Sequence, residues 1–149
     1  PELYPKPYCE KYLIVDDGQK LAPHYHYQKM EDIINRAGGT AVITLWEKDE
    51  NDRFSDKPIT VTLDGRKVTL PAGSTVELKP GQSITLIPGQ YHEIACKPGS
   101  GKLLLGEVST VNDDNIDNHF LDASDRIPEI EEDVAPTYLI FKDYPDYVD

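Results

Sequence analysis

His24 and His26 stand one residue apart in a run, residues 21–27, that reads as a β-strand. Side chains alternate across a strand, so both imidazoles leave the same face. Glu31 follows five residues after His26, a spacing at which a turn or bend returns a carboxylate to that face. His92 comes much later, after a Pro88-Gly89 turn, and must arrive from another strand. Three imidazoles and a carboxylate form a sound ligand set for a borderline divalent cation. Each histidine can bind through one ring nitrogen while a neighbour orients the other. Taken singly the signals are weak: a His-x-His pair is more often a satisfied core or surface pair, and an isolated Glu a solvated one. The ordered set of four carries the argument.

The elements that must position these residues are short apolar runs bounded by turn residues. Residues 11–15, 21–27 and 40–46 are rich in β-branched and aromatic side chains and read as strands. Residues 58–63 and 67–70 flank Asp64-Gly65, a pair that tolerates positive φ at both positions and signals a hairpin. Runs at 75–78, 83–87, 91–96 and 102–108 follow, each beside Gly or Pro. Residues 30–36 place Met30, Ile33 and Ile34 at helical spacing, yet they run into Gly38-Gly39 and are read as a strand. About nine short strands at close spacing predict an all-β sandwich or barrel. Residues 111–130 turn polar and acidic and are expected to form a long functional loop over the surface. Residues 138–141 read as a closing strand, and one domain over 1–149 is expected.

Composition narrows the partners. The formal net charge of −12 argues against nucleic acid and against an anionic membrane surface. It suits a neutral small molecule and a bound cation. No stretch approaches the roughly 20 apolar residues of a membrane span. Nothing at the start reads as a signal peptide, so a cytoplasmic protein is expected. Cys9 and Cys96 are too few for a disulfide framework and are read as two reduced thiols, a single bridge being the alternative.

The spacing Gly18, five residues, His24-Tyr25-His26, four residues, Glu31, six residues, Gly38 resembles the first signature motif of the cupin superfamily. Gly81, Pro88, Gly89 and His92 resemble the second, with the proline one position nearer the second glycine and Cys96 where Asn is usual. The resemblance implies a cupin barrel, the double-stranded β-helix or jelly roll. Fold alone does not settle a reaction. A longer likeness does more. The stretch from His24 through Lys29 and Glu31 to Arg36 resembles the metal-site segment of D-lyxose isomerases. So do Gly106-Glu107-Val108-Ser109, Asn112-Asp113-Asp114, Asp117-Asn118 and Pro88-Gly89-Gln90-Tyr91-His92, a similarity reaching from Tyr12 to Pro136. It implies a manganese-dependent homodimer that interconverts D-lyxose and D-xylulose, with D-mannose and D-fructose as further substrates.

Such a reaction moves a proton between C2 and C1, by a cis-enediol route in which a carboxylate near C2 is the base. In relatives two acidic residues two positions apart, followed by an arginine, fall where this chain has Asn115, Asp117 and Arg126. An amide cannot abstract a proton, so Asp117 and Glu107 are the catalytic candidates, with Asp113 or Asp114 taking part if the loop is shifted. Glu107 lies late in an apolar strand, where an unpaired charge is costly. Asn115, Arg126, Lys29 and Gln28 are candidate sugar contacts. Strict alternation points Lys29 away from the histidine face and gives that face to Gln28. Clustered Asn and Asp also serve as ordinary turn formers, and His119 is read as a surface residue. Two other readings stand beside the isomerase: a metal-dependent cupin dioxygenase, and a sugar-binding barrel without catalysis in which Asn115 marks a degraded site.

Overall fold

The computed structural model describes residues 5–122, 131, 133–135 and 137–139. Within them the chain is all-β, with eleven strands and no helix. These are β1 (Tyr8–Val15), β2 (Lys20–His26), β3 (Glu31–Gly38), β4 (Ala41–Glu47), β5 (Ile59–Leu63) and β6 (Arg66–Leu70). They continue with β7 (Ser74–Leu78), β8 (Ser83–Leu86), β9 (Gln90–Cys96), β10 (Leu103–Thr110) and β11 (Asn118–Phe120).

Two antiparallel sheets face each other, one ordered β1-β10-β3-β8-β5-β6 and the other β11-β2-β9-β4-β7. Successive strands pass from one sheet to the other, the β5–β6 hairpin being the exception among the described strands. That winding fixes the layers, because every inward residue of one sheet meets inward residues of its chain neighbours. Alternation does the rest. In β3 and β4 buried residues recur at every second position, so Ile33, Ile43 and Leu45 turn inward. They pack with Ile59, Ile84, Leu86, Leu103 and Leu105 into one core.

Local sequence explains the corners. Leu63 pairs with Arg66 across Asp64 and Gly65, whose φ values are 45° and 78°. Both are positive, as a two-residue hairpin of matching twist requires. Gly38 has φ 84°, and a Cβ there would lie 2.1 Å from the Lys102 carbonyl oxygen. Beside it, buried Asn35 donates from Nδ2 to the carbonyls of Gly39 and Leu78. This amide ties the β3–β4 corner to β7.

Residues 30–36 do form a strand, since the period of burial along β3 is two and not helical. The acidic excursion is not wholly irregular: β11 lies inside it and pairs with β2. An edge strand needs only backbone partners, so its sequence, NHF, carries little apolar signal. Of the expected closing run only Tyr138 and Leu139 fall among the described residues, and neither is in a strand. Cys9 and Cys96 are free thiols, as read.

Candidate metal centre

Strand β2 brings two histidines to the inner face of its sheet. Its ladder with β9 pairs Leu21 with Ile94 and His24 with His92, so β2 carries one residue more over the same span. This irregularity falls at Ala22 and Pro23, the latter lacking an N–H to donate. It lets Leu21, His24 and His26 all line one cavity between the sheets. The His24 and His92 ring centroids are 4.3 Å apart, and His26 lies 5.2 Å from His24. One ligand atom from each imidazole falls within 4.8 Å of the others.

From the opposite sheet β3 begins at Glu31, which is buried. Its Oε1 lies 3.1 Å from His92 Nε2 and 3.5 Å from His26 Nε2. Three of the residues singled out as a ligand set thus form one cluster, and the fourth, Glu31, reaches two of them, His26 and His92.

Ring orientations make the set suitable for a cation. His24 Nδ1 lies 2.9 Å from the Ala22 carbonyl oxygen, and His92 Nδ1 lies 3.0 Å from that of Gln90. A carbonyl only accepts, so each neutral ring donates from Nδ1 and keeps a lone pair on Nε2. Desolvation and the neighbouring His92 lower the His24 pKa to about 3, which keeps that ring neutral. Burial alone would raise the Glu31 carboxyl, but the adjacent imidazoles of His26 and His92 and the ammonium of Lys29 hold it well below the usual range. Both nitrogens of His26 and Oε1 of Glu31 are buried without a hydrogen-bond partner. A buried polar group left so costs about 1–3 kcal/mol. A divalent cation among these atoms would satisfy Nε2 and Oε1, and the donor set fits one.

Next to Glu31 sits a second charged layer. Lys29 is buried, with Nζ 2.8 Å from Glu31 Oε2 and 2.9 Å from Glu107 Oε1. Lys11, from edge strand β1, reaches the same Glu107 oxygen at 3.1 Å. Burial works against the Lys29 charge, yet the two carboxylates outweigh it and hold the pKa above its ordinary value. The expected directions of Lys29 and Gln28 are thus exchanged. Strand β2 ends at His26, so alternation does not extend to residues 28 and 29. Lys29 folds into the cavity, whereas Gln28 is exposed and lies outside its wall.

The cavity has a volume of about 450 Å³. Leu13, Leu21, Ile33 and Ile94 supply the apolar part of its wall. Phe120 of β11 stands at the His24 side, its ring 5.2 Å away at an interplanar angle of 32°. Asp114 and Asn118 add polar groups to the wall. Lys11, Asn118 and Phe120 were not singled out from the sequence. Only recognition of β11, and of the inward face of β1, could have found them.

The remaining candidates lie elsewhere. Asp117 is buried but does not line the cavity: Oδ1 accepts from the Gln28 amide at 2.7 Å and Oδ2 from the Lys29 amide at 3.2 Å. Asn115 is exposed, donating from its amide and side chain to Asp113 Oδ1. Arg126 lies outside the described residues. His119 is half-buried on the outer face of its sheet, where its Nδ1 lies 3.1 Å from the Tyr27 hydroxyl. On that outer face Tyr25 and Tyr91 are fully buried and both hydroxyls donate to Asp52 at 2.6 Å, one to its carboxylate and one to its carbonyl. The strands that carry the three histidines are therefore fastened from behind to a single loop residue.

Comparison with known proteins identifies a family and a fold. The D-lyxose isomerase family model matches residues 1–144. D-lyxose/D-mannose isomerases of Escherichia coli O157:H7 and Serratia proteamaculans are each 45% identical over 141 residues. Those alignments cover 95% of this chain and 62% of each relative, so the chain spans 62% of their length. Among solved structures, the Cellulomonas parahominis L-ribose isomerase is 24% identical with a TM-score of 0.57, over 78% of this chain and 59% of that one. The dTDP sugar isomerase of Desulfovibrio desulfuricans G20 is 14% identical with a TM-score of 0.56, over 80% and 69%. These structural likenesses bear out the cupin barrel.

Proposed function

The chain belongs to the D-lyxose isomerase family, and from that premise we propose that it is a metal-dependent aldose–ketose isomerase interconverting D-lyxose and D-xylulose, and D-mannose and D-fructose. The observation that carries the reading is the contact of Lys29 with both Glu31 and Glu107, beside three clustered imidazoles. A cation site and a buried acid–base pair share one cavity.

His24, His26, His92 and Glu31 would hold the cation, with manganese the ion that the family likeness implies. When bound, a divalent cation supplies Lewis-acid polarisation to adjacent sugar oxygens. The chain's own residues do the proton work. Glu107 faces the cavity as a carboxylate and takes the C2 proton, then returns it to C1. Lys29, an ammonium hydrogen-bonded to Glu107 within the cavity, gives a proton to O1 and recovers the hydroxyl proton of O2, so that the carbonyl passes from C1 to C2 as the proton on carbon passes from C2 to C1. Phe120 and the aliphatic wall exclude water from the reacting carbons.

This assignment narrows the two candidate bases to one. Asp117 points its carboxylate at backbone amides and lies outside the cavity wall. The amide at Asn115 then removes no base, because that side chain serves an exposed turn. A buried ammonium between two carboxylates supports acid–base isomerisation over dioxygenation. A single cupin domain, a homodimer and a cytoplasmic setting belong to the same proposal; among the described residues no helix is long and apolar enough to cross a membrane.

Manganese-loaded protein incubated with D-lyxose should yield D-xylulose, read by chromatography. Failure to form ketose while manganese is bound and D-lyxose is retained would establish the sugar-binding alternative instead.

A further inference from the structure

Three successive backbone amides, those of Tyr27, Gln28 and Lys29, all end on one residue. Tyr27 donates to the Asp117 carbonyl at 3.0 Å, Gln28 to its Oδ1 at 2.7 Å and Lys29 to its Oδ2 at 3.2 Å. These amides belong to the turn between β2, which ends at His26, and β3, which begins at Glu31. The same Oδ2 lies 3.8 Å from His26 Nδ1. From this geometry we infer that Asp117 is a positioning residue, which fixes the turn joining His26 to Glu31 and, with it, the place of Lys29. The inference rests on the proposed isomerase reading for its consequences in turnover, but not for the contacts themselves.

The residues around Asp117 exist to deliver it there. Asn118 pairs with His26 in the β11–β2 ladder, which sets residue 117 opposite the first residue of the turn. Asp117 donates its own amide to the Asp113 carbonyl at 3.0 Å, and Asn118 Nδ2 donates to that of Asp114 at 2.8 Å. The carboxylate is buried, so its lone pairs are spent on protein donors and none is presented to the cavity. An amide in its place would turn an NH₂ toward one of the backbone N–H groups of the turn, setting donor against donor. Groups that hold a metal ligand in place without touching the ion commonly change metal affinity by 10–100-fold when altered, and the turn that Asp117 closes joins two proposed ligands, His26 and Glu31. Here that same group also fixes the backbone of Lys29, whose ammonium reaches Glu31 and Glu107. Loss of Asp117 therefore reaches the cation site and the acid–base pair at once.

The test uses the full chain and three readouts. In the wild type, hydrogen exchange should find the amides of Tyr27, Gln28 and Lys29 as protected as those of strand β2, although the side chains of Tyr27 and Gln28 are exposed. Exchange at loop rates would overturn the inference without any variant. In Asp117→Asn and Asp117→Ser, checked for retained fold by circular dichroism, that protection should vanish. Calorimetric titration should show manganese affinity falling by roughly 10–100-fold. Turnover of D-lyxose should then recover in part when manganese is raised. Unchanged manganese affinity and protection, with turnover abolished, would instead make Asp117 a catalytic base. If the wild type itself turns over no sugar, the isomerase reading fails, while the exchange and titration arms still decide the role of Asp117.

Discussion

His24 and His92 face each other across the β2–β9 ladder, and each directs Nδ1 at the carbonyl oxygen two residues before it, Ala22 for one and Gln90 for the other. The repeated arrangement leaves both Nε2 atoms available for a cation. Manganese at a hundredfold excess over its Kd should raise stability by about 2.7 kcal/mol. For a chain of this length that is roughly 5–10 °C in Tm. Thermal melts with and without a chelator check it, and His92→Ala should abolish most of the manganese-dependent rise.

Glu107→Gln keeps the shape of the side chain and an acceptor for Lys29, while removing the capacity to take a proton. Turnover should fall by about 10²–10⁴-fold. Manganese affinity, measured calorimetrically, should stay close to that of the wild type. A variant with wild-type turnover would take Glu107 out of the reaction.

Lys29→Met deletes the ammonium that Glu31 and Glu107 share and leaves two buried carboxylates facing one another. Breaking a buried ion pair in this way costs about 3–5 kcal/mol. Urea melts of the metal-free protein should show a loss of that order. With manganese present the loss should shrink, because a cation beside Glu31 replaces part of the missing charge.

Gly38→Ala tests the corner beneath the site. Its Cβ would meet the Lys102 carbonyl oxygen at 2.1 Å, in a backbone conformation of φ 84°. Overpacking of this kind costs 1–3 kcal/mol in ordinary cores, and the rigid backbone partner places the expected loss at about 3 kcal/mol or more. Gly65→Ala is the control, since a Cβ there meets nothing within 4 Å and only the positive φ opposes it. The two melts should differ clearly.

The meeting of three of the proposed ligands was legible in the sequence because their geometry is local to two strands. Alternation puts His24 and His26 on one face, and the turn after β2 is short enough to return Glu31 to it. The family likeness supplied His92 as their partner. The same alternation misplaced Lys29 and Gln28, since a period of two says nothing past the last paired residue, His26. Asp117 looked like a base because an acidic residue in a loop shows its charge but not its donors. Those donors are amides roughly ninety positions earlier in the chain, and a pairing at that separation leaves no local pattern. Phe120 escaped for a related reason: three residues of edge strand have no room for periodicity.

The alternation of consecutive strands between sheets has a mechanical result. All three imidazoles hang from one layer, on β2 and β9, whereas Glu31 and Glu107 hang from the other, on β3 and β10. A cation held by the three imidazoles and Glu31 would act as a rivet through the sandwich. The side chains packed between the layers, such as Ile43 and Leu45, would then set how closely the two halves of that site approach.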